Sequence, residues 1–211
     1  MIERTNCQKV NVIAHSKGGI DIRYAISKLG IEDKIATVTM ISSPNHGSKG
    51  IDFLYSVFGK WLFKFCALFI NGWFKIMGDE KPDFYRATQQ FRASYMENFN
   101  KEITDKPDIL YQTFAGKMKS PFSDIFMCFL NFIMKFFDGA NDGLVSVNSA
   151  KWGNFRGIIE GKRLFGISHP HEVDGYRTNP KIKQNPGLPA GSKTIRDFYI
   201  GLVRELKEKG L

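Results

Sequence analysis

A chain of 211 residues with 43% hydrophobic and 24% charged side chains has room for one sizeable core, a balance that excludes a disordered or fibrous protein. Its formal charge of +9 is spread along the chain without an arginine-rich block or a nucleic-acid module motif, so no nucleic-acid partner is expected and the basic residues read as a solvated surface. Cys7, Cys66 and Cys128 are odd in number and lack C-x-x-C spacing, which excludes a disulfide framework and a zinc site and predicts free, buried thiols.

Met1 to Lys9 is short and polar, with none of the apolar core of a secretory signal. The first element follows in VNVIAHSKGGIDIRY, residues 10–24. Val10, Val12 and Ile13 read as a buried strand ending near Ala14, and Ile22, Ala25, Ile26 and Leu29 recur at helical spacing from about Lys17 to a stop at Gly30. Ser16 then sits on the sharp turn between strand and helix, flanked two residues away by the small Ala14 and Gly18, which is where a nucleophile elbow carries its serine. An ordinary glycine-rich strand-to-helix turn has the same local pattern. IATVTMISS, residues 35–43, reads as a second buried strand, so strand, helix and strand form a right-handed parallel unit, with PNHGSKG as the following loop.

FLYSVFGKWLFKFCALFINGWFKIM, residues 53–77, is dense in aromatic and aliphatic side chains but is interrupted by Lys60, Lys64 and Lys75. Its longest uncharged run, Phe65–Phe74, falls short of the ~20 residues that a membrane span needs. Two readings stand: a buried helix pair, or an amphipathic lid over residues 51–80 whose Trp61, Phe63, Leu68 and Trp73 cover a lipid-binding cleft. Phe84, Ala87, Phe91, Tyr95 and Phe99 form one helical stripe, followed by a third strand at 108–114. DIFMCFLNFIMKFF, residues 124–137, is long enough for a helix that packs beside the first aromatic segment. RLFG, residues 163–166, is the candidate fourth strand. Residues 179–191 form a Pro/Gly-rich loop, and the last helix, from Thr194 to about Lys207, opens with a capping box from Thr194 to Asp197.

An elbow serine needs a base, and the base a carboxylate, in the chain order serine, acid, histidine. Of the four histidines, His15 is expected to point off the wrong side of the turn and His46 comes too early, which leaves His169 and His171 in GISHPHEVD. For the acid, Asp142 precedes Gly143 and a strand-like LVSV in DGANDGLVSVNSA, and Asp138 competes with it.

Taken together, these motifs resemble the bacterial triacylglycerol lipases with the α/β-hydrolase fold, those of the Burkholderia, Pseudomonas and thermophilic Bacillus type. VNVIAHSKGGIDIRYAI is similar to their nucleophile segment, IATVTMISSPNHGSKG to the following strand and loop, and FNKEITDKPDILYQTFAG to their helix-to-strand passage. NDGLVSVNSAKWG resembles their acid loop and ISHPHEVD their histidine loop, with Glu172 at the place of an acidic residue three positions after the histidine. The resemblance implies a triad of Ser16, Asp142 and His169, an oxyanion donor at the Lys17 amide, and a lid in the 51–80 segment. It implies hydrolysis of lipid esters at an oil–water or membrane interface through an acyl-enzyme. Phospholipase or acyltransferase chemistry on the same triad is the alternative, as is a catalytically impaired fragment that binds lipid surfaces.

The departures carry expectations too. His171 stands where calcium-binding members have an aspartate, so neither calcium nor another cofactor is expected; Asn148 replaces a disulfide cysteine. The family also places a long segment, with strands and a second oxyanion donor, before the serine. The 211 residues therefore read as one α/β-hydrolase domain, a parallel sheet with flanking helices and a helical lid, that lacks its N-terminal strands. The family resemblance implies secretion.

Overall fold

The computed structural model describes residue 2 and residues 6–76, 78–162 and 166–211, the side chains of Leu62 and Trp73 excepted. In chain order the elements are β1 (Val10–His15), α1 (Lys17–Lys28), β2 (Ile35–Ile41), α2 (Lys49–Ile76), α3 (Phe84–Gln89), α4 (Ala93–Glu102), β3 (Leu110–Lys117), α5 (Cys128–Phe137), a single turn α6 (Val147–Ala150), β4 (Asn154–Glu160) and α7 (Ile195–Glu208).

The four strands pair in the order β1-β2-β3-β4, every pair parallel, and β1 is one edge. Parallel strands are covered by helices on both faces, which is why β2 and β3 are buried almost throughout. Ile41, Phe114 and Ile159 pack against Phe198 and Leu202 of α7. On the opposite face Val38, Met40 and Tyr111 pack with Ile26 of α1. α7 starts at the expected capping box: the Thr194 side chain accepts from Asp197 N, and the Asp197 side chain accepts from Thr194 N.

Three expectations differ from the structure. β4 forms at Asn154–Glu160, a stretch not expected to be a strand, whereas residues 163–165 of RLFG lie outside the described residues and Gly166 makes one antiparallel bridge to Met118. The stripe from Phe84 to Phe99 belongs to two helices rather than one. Asp52 accepts from Arg92 Nε at 2.7 Å and from Ser94 N at 3.2 Å, and Ser48 bridges Arg92, so long-range bonds pull the chain into an extended conformation between α3 and α4. The thiols are not buried: Cys66 and Cys128 are half-buried and Cys7 is exposed.

α1 must come close to the end of β2. A Cβ on Gly19 would lie 2.1 Å from Ser43 Oγ, whereas one on Gly18 would meet Ala14 Cβ at an ordinary 3.8 Å. The tight position is therefore Gly19, not the Gly18 that the motif singles out. Gly19→Ala is expected to cost about 1–3 kcal/mol of stability, and Gly18→Ala to be neutral or slightly stabilising because alanine favours the helix. Urea unfolding of the two variants checks this; equal midpoints would contradict it.

Among the described residues no single helix is long and apolar enough to cross a membrane. The two arms of α2, Lys49–Trp61 and Phe63–Ile76, reach that length and composition only together, and they meet at 86°. The helix is also interrupted near the end of the first arm, at Gly59, whose φ of 63° and ψ of −176° are not helical.

Candidate active site

Ser16 caps the N-terminus of α1 directly after β1, with φ 55° and ψ −131°. A side chain in that region of backbone space costs of order 1–3 kcal/mol, and such strain clusters at functional sites. The turn is held from both sides: Ser16 N donates to Ile41 O at 2.9 Å, and Gly19 N donates to Ser16 O at 3.1 Å. Among the described residues the Ser16 hydroxyl has no hydrogen-bond partner, and neither has the Lys17 amide in the first turn of α1. An open amide at a helix N-terminus is a ready donor to an anion. The Lys17 ammonium pairs with Asp21.

Asp142 and His169 meet at the same end of the sheet. Asp142 is fully buried in the loop after α5, where its Oδ1 accepts from Leu144 N at 2.8 Å and Val145 N at 2.7 Å. His169 Nδ1 donates to Asp142 Oδ2 at 2.8 Å, and His169 N donates to Asp142 O at 2.9 Å. Burial alone would raise the Asp142 carboxyl. The His169 charge and hydrogen bond, with the Val145 and Leu144 amides, outweigh it and hold the group below the usual carboxylate range. Residues 144–147 are not a strand; they fold tightly around Asp142 and lead into α6.

The competitors are engaged elsewhere. Asp138 accepts from Ser48 Oγ at 2.6 Å, Lys49 N at 2.9 Å and Gly50 N at 3.0 Å, so it ties down the start of α2. His171 Nδ1 is 2.6 Å from Ser168 Oγ, and its ring meets Tyr176 edge-on. His46 Nε2 bonds Lys151 O at 3.1 Å.

His15 does not point away from this cluster. Its ring lies 4.4 Å from that of His169, and its Nε2 is hydrogen-bonded to Glu172 Oε2 at 3.2 Å. Burial, with the nearby His169 charge, lowers the His15 imidazole to about 3, so His15 is neutral. Glu172 is fully buried, and Ser42 donates to its Oε1 at 2.9 Å. Ser42 itself has φ 45° and accepts from Gly116 N at 2.8 Å. A Cβ on Gly116 would come within 1.5 Å of Glu172 Oε1, so that glycine makes the room for the carboxyl. Sequence reasoning gave Glu172 a family position but no partner, because nothing in a linear sequence distinguishes a buried carboxyl from a solvated one.

No protein-family model matches the chain. Over 209 residues it is 31% identical to Triacylglycerol lipase 2 of Saccharomyces cerevisiae (strain ATCC 204508 / S288c), an alignment covering 95% of this chain and 58% of that protein. Among solved structures it resembles the metagenomic carboxyl esterase MGS0156 with a TM-score of 0.65 and 17% identity, over 96% of this chain and 57% of that one. It also resembles the mature form of Bacillus licheniformis lipase BlEst2, with a TM-score of 0.52 and 23% identity over 80% of this chain and 61% of that one. The fold is that of the α/β-hydrolases. The chain spans little more than half the length of these relatives.

Within the α/β-hydrolase sheet, Ser16 follows β1 and Asp142 and His169 lie on loops beyond β3 and β4. Of the four aromatic-segment residues expected to cover a cleft, the three whose side chains are described do not share one face. Phe63 is buried and stacks on Tyr55 with ring centroids 3.6 Å apart, while Trp61 and Leu68 are 73% and 71% exposed; the Trp73 side chain lies outside the described residues. The physical reason is packing: Phe63 is drawn into the cluster of Ile51, Leu54 and Tyr55, while Trp61 and Leu68 stay on the outside of the helix. Cavities of about 640 and 580 Å³ are lined by neither Ser16 nor Asp142 nor His169.

Among the described residues, His15, His169 and Glu172 bring three potential metal-ligating atoms within 4.8 Å of one another. Two of them already share a hydrogen bond, and burial plus repulsion from Asp142 pushes the Glu172 carboxyl well above its usual value. A carboxyl pushed toward its protonated form disfavours a cation there. This shift carries a stability prediction. Because the folded-state value is raised, the unfolded chain releases the Glu172 proton first, and stability attributable to this group falls as pH rises from about 4.5 toward the folded-state value. Glu172→Gln, which copies the protonated form, is expected to match the parent at acid pH and to exceed its thermal stability at alkaline pH. A parallel pair of stability–pH curves would contradict it.

Proposed function

We propose that this chain is a serine hydrolase that cleaves carboxylic esters of lipids, triacylglycerols first among them, through an acyl-enzyme. The observation that supports this most is the Asp142–His169 hydrogen bond, whose imidazole packs on His15, the immediate chain neighbour of a strained elbow serine. In the reaction His169 Nε2 takes the Ser16 proton as Oγ attacks the ester carbonyl. Asp142 keeps the other imidazole proton on Nδ1 and offsets the positive charge that forms. The Lys17 amide donates to the developing oxyanion. His169 returns its proton to the leaving alcohol; water, activated by the same imidazole, then releases the fatty acid.

Identity to a triacylglycerol lipase supports a long acyl chain and a substrate reached at a lipid–water interface. We assign the lid role to α2: it is broken at Gly59 and carries exposed Trp61, Phe65 and Leu68. The rate on a long-chain ester is expected to climb steeply once substrate exceeds its solubility limit, and the rate on a short water-soluble ester to follow ordinary saturation. A rate that runs smoothly through the solubility limit would remove the lid from the account. No turnover of any acyl ester would remove the hydrolase reading.

A further inference from the structure

α5 is apolar on both sides. Its inner edge, Leu130 and Ile133, packs on Ile51, Leu54 and Phe63 of α2, and Phe137 stacks on Phe53 at 4.5 Å. Its outer edge presents Phe129, Phe132 and Phe136, with Ile125 in the turn just before the helix continuing the three-to-four-residue spacing, at 66%, 69%, 83% and 73% exposure. Exposed aromatic side chains in such a row are uncommon on a soluble surface and mark an interaction site. The neighbouring arms of α2 add Trp61, Phe65 and Leu68.

The charge pattern identifies the occupant. Residues 53–78 and 125–137 contain four lysines, Lys60, Lys64, Lys75 and Lys135, and no aspartate or glutamate. Protein–protein interfaces are depleted in lysine. Aromatic side chains with interspersed lysines, on helices whose backbone bonds are internally satisfied, are instead the composition of a surface that lies in a lipid headgroup region. A neutral oil phase would draw nothing from the lysines, whereas an anionic leaflet would.

We infer that α5 and the exposed side of α2 dock this chain on anionic bilayers, with the row Ile125, Phe129, Phe132 and Phe136 as the inserted edge. Docking there bears on catalysis because α5 is fastened to the acid loop. Asn131 Nδ2 donates to Asn141 Oδ1 at 2.7 Å, next to Asp142, and Asn141 Nδ2 donates to Asn131 O at 3.3 Å. The inference rests on the lipid-ester reading only for what the site does once docked; binding itself is independent of it.

The test is vesicle co-sedimentation of the Ser16→Ala chain, which cannot alter the lipid through an acyl-enzyme, with phosphatidylcholine vesicles and with vesicles containing phosphatidylglycerol. Each lysine near an anionic surface is worth about fivefold in partitioning, so anionic vesicles are expected to bind at least tenfold more tightly at low salt, with the difference collapsing in 1 M salt. Phe129→Ser combined with Phe132→Ser is expected to lower binding to both vesicle types at least tenfold with unchanged thermal unfolding, since both rings are exposed. Lys64→Gln with Lys135→Gln is expected to lower binding to anionic vesicles alone. Equal binding to both lipids, no binding, or serine variants that bind like the parent would overturn the inference. So would a parent dimer that the serine variants dissociate, since the face would then belong to a second copy. Failure here with the Ser16 hydroxyl still reactive toward an acylating probe in the parent chain would remove the docking surface and leave the hydrolase reading standing.

Discussion

Ser16→Ala is expected to lower kcat on acyl esters by about 10⁴–10⁶ with no loss of folding stability. The hydroxyl has no hydrogen-bond partner among the described residues, so its removal breaks no contact that holds the turn, and the turn's own bonds run through the backbone of Ser16, Gly19 and Ile41. Ser16→Gly should be equally inactive and yet more stable than the parent, by up to a few kcal/mol, because glycine relieves the strain of φ 55° and ψ −131°. A functional serine that the fold would be more stable without is the signature of a strained elbow. Chemical denaturation and ester turnover of the two variants read both effects, and an active Ser16→Ala chain would end the proposal.

The second large effect belongs to Asp142. Asp142→Asn preserves the size of the side chain, and its carbonyl can still accept from Leu144 N or Val145 N, the two amides that bond Oδ1. The amide group, however, favours the wrong His169 tautomer, and the positive imidazole loses its counter-charge. A fall in kcat of about 10⁴ is expected. The parent's lowered Asp142 value also means that its stabilising pair with His169 is present above the ordinary carboxylate range and is lost as pH falls through the folded-state value. The Asn variant should therefore lose less stability than the parent on acidification. By contrast, His171→Ala should keep near-parental turnover, since that ring is occupied by Ser168 and Tyr176.

How much of this was legible in the sequence follows the range of the interactions. Ser16 was readable because an elbow is local: a β-branched strand, a serine, two glycines and a helical stripe lie within twenty residues. The Thr194–Asp197 capping box was readable for the same reason. Asp142 and His169 needed the family resemblance to separate them from Asp138 and His171; the structure separates them by hydrogen bonding alone. What stayed hidden was set at long range. β4 carries Arg156 and Gly157 in mid-strand, and its pattern is largely half-buried, so RLFG looked the better strand; Arg156 is held by Gln112 and Glu205, and Gly157 makes room for the Pro186 carbonyl. The split between α3 and α4 depends on Asp52 and Ser48, some forty residues upstream. The layer of His15, Ser42, Gly116 and Glu172 beneath His169 is drawn from four separate segments and has no linear signature.

The central claim is that Ser16 is an activated nucleophile with His169 as its base. Incubation of the chain with a fluorophosphonate, followed by mass-spectrometric location of the adduct, tests it most directly, because phosphonylation requires the activated hydroxyl and no particular lipid. The account predicts one adduct, on Ser16, that disappears in His169→Ala and persists in His171→Ala. An unmodified Ser16, or a Ser16 that reacts equally well without His169, would contradict it.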